Sequence, residues 1–107
     1  MRPLAEQLAA VEGFDWDRHN STKIWTKHAV SRPECEEVFL GAPRVVADPA
    51  HSGAERRFVA FGATATGRRL AVVFTLRGSR LRVVTARDQS RRERRELEHG
   101  EAPEADS

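Results

Sequence analysis

Leu70-Ala71-Val72-Val73-Phe74-Thr75-Leu76-Arg77-Gly78-Ser79-Arg80-Leu81-Arg82-Val83-Val84-Thr85-Ala86-Arg87 is the stretch whose reading decides the fold. Two runs rich in β-branched and aromatic residues flank Gly78-Ser79, and a two-residue break of this kind marks a tight β-hairpin. Upstream, Arg57 to Ala63 reads as a third strand, in which Gly62 weakens the strand or marks a close approach. Thr66-Gly67 is a turn, Arg44 to Ala47 a short strand and Asp48 to Gly53 a loop. Strands this closely spaced predict an antiparallel meander. Alternation places Leu81, Val83, Thr85 and Arg87 on one side of the last strand and Arg82, Val84 and Ala86 on the other. In its partner, Val73, Thr75 and Arg77 oppose Val72, Phe74 and Leu76. One face must pack on helices, which leaves the other for a ligand.

The remaining segments supply the helices. Residues 1–13 read as a leader or weak helix ending at Gly13, and Phe14-Asp15-Trp16-Asp17 alternates like a short strand. Asn20-Ser21-Thr22 offers caps for a helix reaching about His28, with Ile24, Trp25 and His28 on one side and Asn20, Lys23 and Lys27 on another. Trp16 and Trp25 are expected in the core. Ser31-Arg32-Pro33-Glu34 opens a second helix, with Cys35, Val38 and Phe39 turned inward, and Gly41-Ala42-Pro43 ends it. Ser90-Arg91-Arg92-Glu93 is a capping box that opens a last helix, whose one strong apolar residue, Leu97, predicts weak packing or a polar surface beneath it. The predicted class is α+β: N-terminal helices packed on an antiparallel β-sheet meander, followed by a C-terminal helix. Residues 14–97 form a single domain, with 1–13 as leader and 98–107 as an acidic, disordered tail.

The length, 107 residues, suits one modest core. No apolar run is long enough to span a membrane, and residues 1–13 make a poor secretory signal. Cys35, the one cysteine, excludes an internal disulfide and fits a reducing cytoplasm. No His, Cys or acid spacing matches a metal pattern, so neither metal nor other cofactor is expected.

Charge is distributed unevenly. Residues 56–95 hold twelve arginines, no lysine and two acids, Asp88 and Glu93, whereas the other 67 residues carry a net charge of −8. Arginine clustered in a small domain fits a phosphate-rich partner, because the guanidinium fork matches phosphate oxygens two at a time. Arg77 and Arg87 end strands, and Arg87 also precedes a helix N-terminus, a natural anion site. Arg68, Arg69 and Arg80, near turns, are expected to be solvated, and Arg82 to be a surface cross-strand residue. Lys27-His28 joins a cation to an imidazole, the side chain suited to proton transfer near neutral pH.

The order of short motifs resembles the BrnT family of toxins. The opening is carried by Phe14-Asp15-Trp16-Asp17, Asn20, Lys23-Ile24-Trp25, Lys27-His28-Ala29-Val30 and Glu36-Glu37-Val38-Phe39. The middle is carried by His51-Ser52-Gly53-Ala54-Glu55-Arg56-Arg57-Phe58, Gly67-Arg68, Val72-Val73-Phe74-Thr75 and Arg77-Gly78. The ending, Arg82-Val83-Val84-Thr85-Ala86-Arg87-Asp88 with Ser90-Arg91-Arg92-Glu93-Arg94, is the best match. The resemblance covers about residues 14 to 97. It implies a RelE-like fold and a ribonuclease toxin of a type II toxin–antitoxin pair. It also implies a BrnA-like antitoxin that contacts operator DNA on behalf of the complex, in an assembly larger than a heterodimer. Many relatives have Gly where Ala29 stands, and many carry a tyrosine near Glu96 to Glu98; this chain has no tyrosine at all.

Metal-free RNA cleavage is then expected to use His28 for proton transfer, Lys27 near the phosphate, and Arg57, Arg77 and Arg87 for charge stabilisation, while Arg91, Arg92 and Lys23 grip flanking phosphates. The alternative is a non-catalytic RNA-binding or corepressor module acting through its antitoxin complex. The acidic tail could lie on the basic patch and compete with RNA.

Overall fold

The computed structural model describes residues 2–48 and 55–104. The elements in chain order are α1 (Leu4–Ala9), β1 (Gly13–Phe14), α2 (Arg18–His28), α3 (Arg32–Leu40), β2 (Arg44–Ala47), β3 (Arg57–Ala63), β4 (Arg69–Arg77), β5 (Arg80–Asp88) and α4 (Arg91–Glu98). The class is α+β. Strands β2 to β5 form the expected antiparallel meander, and β1 adds a parallel edge against β5, so the five-stranded sheet runs β1-β5-β4-β3-β2 and is mixed. Gly78, at φ +60°, supplies the backbone that the first position of the β4–β5 turn demands. The parallel β1 contact is short, and its two residues alone give little periodicity to read.

Burial divides the sheet into two faces. Phe58, Ala60, Leu70, Val72, Phe74, Leu81 and Val83 point to the side where Ile24 of α2 and Cys35 and Val38 of α3 complete the main core, and Leu4, Leu8 and Val11 pack beside them. The leader segment is therefore docked on the core through α1. Gly62 explains itself on this side: a Cβ there would lie 3.0 Å from Val38 Cγ1, so the missing side chain lets α3 sit this close to β3 without crowding. The opposite face holds a smaller cluster of Val59, Phe61 and Ala71, with Leu97 of α4 on top. Leu97 thus rests on an apolar patch rather than a polar one.

One irregularity changes the arginine assignments. Val73 pairs with Thr85 but Phe74 pairs with Val83, so Val84 is an extra residue, a β-bulge. Alternation restarts there. Ala86, beyond the bulge, joins Leu81 and Val83 in the core, and Arg87, paired with Ala71, turns to the face of Val59 and Ala71 instead of sharing that of Leu81.

The helix starts follow local chemistry. Asp17, not Asn20 to Thr22, caps α2, accepting from the Asn20 backbone N–H; the helix begins earlier because an aspartate is an equally good cap. Asn20 instead donates from Nδ2 to the Val83 carbonyl, tying α2 to β5. Ser31 and Glu34 form a full capping box on α3, as do Ser90 and Glu93 on α4. Trp16 is half-buried and donates to Glu36 Oε2, but Trp25 is 59 % exposed, because the face of α2 meeting the core is narrow and Ile24 fills it. The tail is described as far as Glu104: Glu101 N–H donates to the Glu96 carbonyl and Pro103 is buried, so this part returns along α4. Residues 105–107 of the expected tail, and most of the loop containing His51, lie outside the described residues. Among the described residues no helix is long and apolar enough to cross a membrane.

Candidate nucleic-acid interface

The arginines meet acids from the rest of the chain, and this pairing sorts them. Arg68, expected to be solvated, is mostly covered. Its Nε and Nη2 reach both Asp88 oxygens at 2.8 and 3.2 Å, and its Nη1 reaches Glu34 at 3.1 Å. It also donates to the Ala29 and His28 carbonyls at 2.8 and 3.1 Å. All five N–H groups of one guanidinium are used. The Arg68 bond holds the Asp88 carboxyl below its ordinary range. Burial pushes Glu34 up, but bonds from Ser31 and Arg68 outweigh it and leave its pKa lowered. Arg68 is a structural clamp that a turn position gave no reason to expect.

Arg82 is likewise more buried than a surface cross-strand residue, and Asp15 and Asp17 flank it. Arg57, Thr75 and Arg82 stand side by side across three strands. Arg77 lies at the same end of the sheet, held by Glu55 at 3.0 and 3.1 Å. Arg87 makes a two-pronged pair with Glu93 at 2.7 and 2.9 Å. Desolvation raises Glu93, yet Arg87 and Ser90 bring its pKa below the ordinary value.

Of the expected site residues, then, Arg57 and Arg77 are neighbours. Arg87 shares their face but pairs with Ala71, six residues from Arg77 along β4, or roughly 20 Å away. Lys23 and Lys27 lie one turn apart on the exposed side of α2. His28 is placed at the Arg87 end: Arg68 links its carbonyl to Asp88, and its imidazole is close enough for its charge to lower the Asp88 pKa, as is Arg94. The five catalytic candidates therefore form two groups. His28 and Lys27, on the helix side of the sheet, and Arg87, on the opposite face, stand toward the Asp88 end, and Arg57 and Arg77 toward the other.

Helix α4 brings a further set. Arg92 pairs with Glu96 one turn on, whereas among the described residues Arg91, Arg94 and Arg95 have no carboxylate within ion-pair distance. With Arg69 and Glu98 these three line an open groove of about 260 Å³. Arg69 bonds Glu98 at 2.7 Å. Arg94 and Arg95 went unread as site residues, although the 91-94-95-98 spacing on a helix puts them on one face.

Fold and charge together define a class: a small α+β domain that packs three helices on one side of a mixed sheet and presents arginines from the other side and from a closing helix. The family model for the "Ribonuclease toxin, BrnT, of type II toxin-antitoxin system" matches residues 16–93. The chain belongs to that family, and membership carries an antitoxin partner. It is similar in fold to the crystal structure of the Brucella abortus ribonuclease toxin BrnT, with a TM-score of 0.55, 23 % identity, and coverage of 74 % of this chain and 97 % of that one. No curated protein matches the chain in sequence.

Proposed function

We propose that this chain cleaves RNA without a metal ion, as the toxin of a type II pair that a BrnA-like antitoxin holds inactive in the cytoplasm. The observation that best supports the reading is the junction at Asp88, where the His28 imidazole and the Arg87 and Arg94 side chains approach one end of the sheet. Cleavage through the 2′-oxygen needs a group to take a proton, a group to return one to the 5′-oxygen, and positive charge beside the phosphorane. His28 handles the proton, Lys27 stands beside it, and Arg87 supplies charge. To reach the phosphate, Arg87 shares its fork between Glu93 and the incoming oxygens. Arg57 and Arg77 hold the RNA backbone further along the sheet, and Lys23, Arg91 and Arg92 hold phosphates outside the centre, as a positive groove follows a single strand. Operator DNA is met through the antitoxin, in an assembly larger than a heterodimer.

The test is single-stranded RNA cleavage in EDTA by His28→Ala, Arg87→Ala and Arg77→Ala, each checked for folding. His28→Ala and Arg87→Ala should lose on the order of a hundredfold in kcat, while Arg77→Ala should mainly raise KM. Full kcat in both of the first two would refute the assigned centre, and loss of wild-type activity in EDTA would refute metal independence. RNA binding with no turnover by the wild type would make the chain a binding or corepressor module instead. Growth arrest on producing the chain, relieved by its antitoxin, tests the toxin role.

A further inference from the structure

Beside the Asp88 junction is a wide-mouthed cavity of about 340 Å³ that the cleavage reading does not use. Phe61, Ala63 and Leu97 give it apolar walls, and Arg69 and Arg94 reach it from β4 and α4. Its volume falls in the range of small-ligand pockets. Arg94 connects it to the proposed centre, because the same side chain acts electrostatically on Asp88. Gln89, the residue after Asp88, also lines it. Gln89 is 7 % exposed. Its Nε2 donates to the Leu70 carbonyl at 3.0 Å and the Gly62 carbonyl at 3.4 Å, which fixes the amide orientation, since the reverse flip would set oxygen against oxygen. Its Oε1 is buried with no hydrogen-bond partner. A buried acceptor without a donor is destabilising, and a donor that arrives in the cavity relieves it. Oε1 has no accessible surface of its own, so a ligand meets it only when the amide turns toward the cavity.

We propose that this cavity is a nucleobase subsite that takes the base next to the cleaved phosphate. It favours adenine, cytosine or guanine over uracil. Single-stranded RNA is read in this way, with a splayed base set against apolar or guanidinium surfaces and its edge hydrogen-bonded. The exocyclic amino group of the three favoured bases donates to Gln89 Oε1. Uracil has no such group, and its N3–H is flanked by two carbonyl oxygens that would face the acceptor. Arg94, and Arg69 when Glu98 yields, are placed to meet the backbone phosphate of that nucleotide. The proposal rests on the RNA-cleaving reading for its biological meaning, but its chemistry can be tested apart from it.

Two measurements separate the two. In the first, a random-sequence RNA is cut and the ends are sequenced for the wild type, Gln89→Met, which keeps the length of the side chain but removes the amide, and Ala63→Trp, which fills the cavity from an exposed strand end. The wild type should disfavour uracil at one position next to the cut by about tenfold, the effect of one hydrogen bond made or missed. Both variants should level that preference. In the second, AMP and UMP are titrated against the wild type while the Gln89 side-chain amide is followed by NMR. AMP should move that signal more than UMP does. If no RNA is cut but AMP moves the signal selectively, the subsite stands and the cleavage reading falls. If RNA is cut with no bias against uracil, or with a bias that survives in both folded variants, the subsite is refuted.

Discussion

Arg68→Ala is the sharpest test of how the site is held. The lost bonds can be valued one at a time. The two to the Ala29 and His28 carbonyls are charge-assisted but partly wet, at about 0.5–1 kcal/mol each. The Glu34 pair, with both side chains about three-quarters covered, contributes about 1 kcal/mol. Asp88 is 64 % exposed on its side chain, so its pair is screened and contributes at most about 0.5 kcal/mol. The sum is about 2–3.5 kcal/mol, a fall in Tm of roughly 10–25 °C for a domain of this size. Thermal unfolding followed by circular dichroism reads it directly. Arg68→Lys should recover less than half, because an ammonium group cannot serve five acceptors in a plane. The variant also changes the response to acid. Asp88 and Glu34 have folded pKa values below their ordinary ones, so their contribution is complete above the ordinary carboxylate pKa of about 4 and is lost as pH falls through the lower folded values. The wild type should therefore lose stability more steeply below about pH 4 than Arg68→Ala does. A variant within about 0.5 kcal/mol of the wild type, with the same acid slope, would refute the clamp and reduce Arg68 to an ordinary surface pair.

Other expectations follow from single residues. Ala29 ends α2 in the left-handed region at φ 52°, so Ala29→Gly should raise stability by about 1 kcal/mol in urea unfolding; a neutral or destabilising result would refute strain at this helix end. Burial pushes the Cys35 thiol up to about 12, so a thiol reagent at pH 8 should label it only after unfolding, and fast labelling of the native protein would overturn its placement. Replacing Arg91, Arg94 and Arg95 together by Ala should reduce the slope of log K against log salt for RNA binding by about 2, at roughly 0.7 per phosphate contact. An unchanged slope would place RNA elsewhere.

The elements were legible wherever one local rule governed them. Gly78-Ser79 marked the hairpin, the Ser31-Glu34 and Ser90-Glu93 spacings marked two helix starts, and Gly62 marked a close approach that turned out to be α3. What stayed hidden depends on contacts between distant residues. Counting by twos along β5 fails at Val84, because a bulge is set by the partner strand's register and leaves no residue signature there. Trp25 looked like a core residue because size and apolarity say nothing about how narrow the buried side of α2 is. The arginine surplus within residues 56–95 suggested unpaired charge, yet Asp15, Asp17, Glu34, Glu55 and Glu98 from outside that window take up much of it. Gln89 gave no signal, since a lone glutamine becomes notable only once its acceptor is seen buried and unmet.

The two capping boxes have a consequence for how the chain assembles. In each, the glutamate that closes the first helical turn also grips an arginine on or beside a strand: Glu34 holds Arg68, just ahead of β4, and Glu93 holds Arg87 of β5. A cap is normally a local device that can form and fray with its own helix. Here the same carboxylate is both the fastener of the turn and the bolt to the sheet, so neither helix end can loosen without also giving up its anchorage. Helices α3 and α4 have short apolar stripes, and this shared fastening makes their melting part of the domain's melting. Hydrogen exchange should show it, with the Glu34 and Glu93 amides opening only when the sheet does.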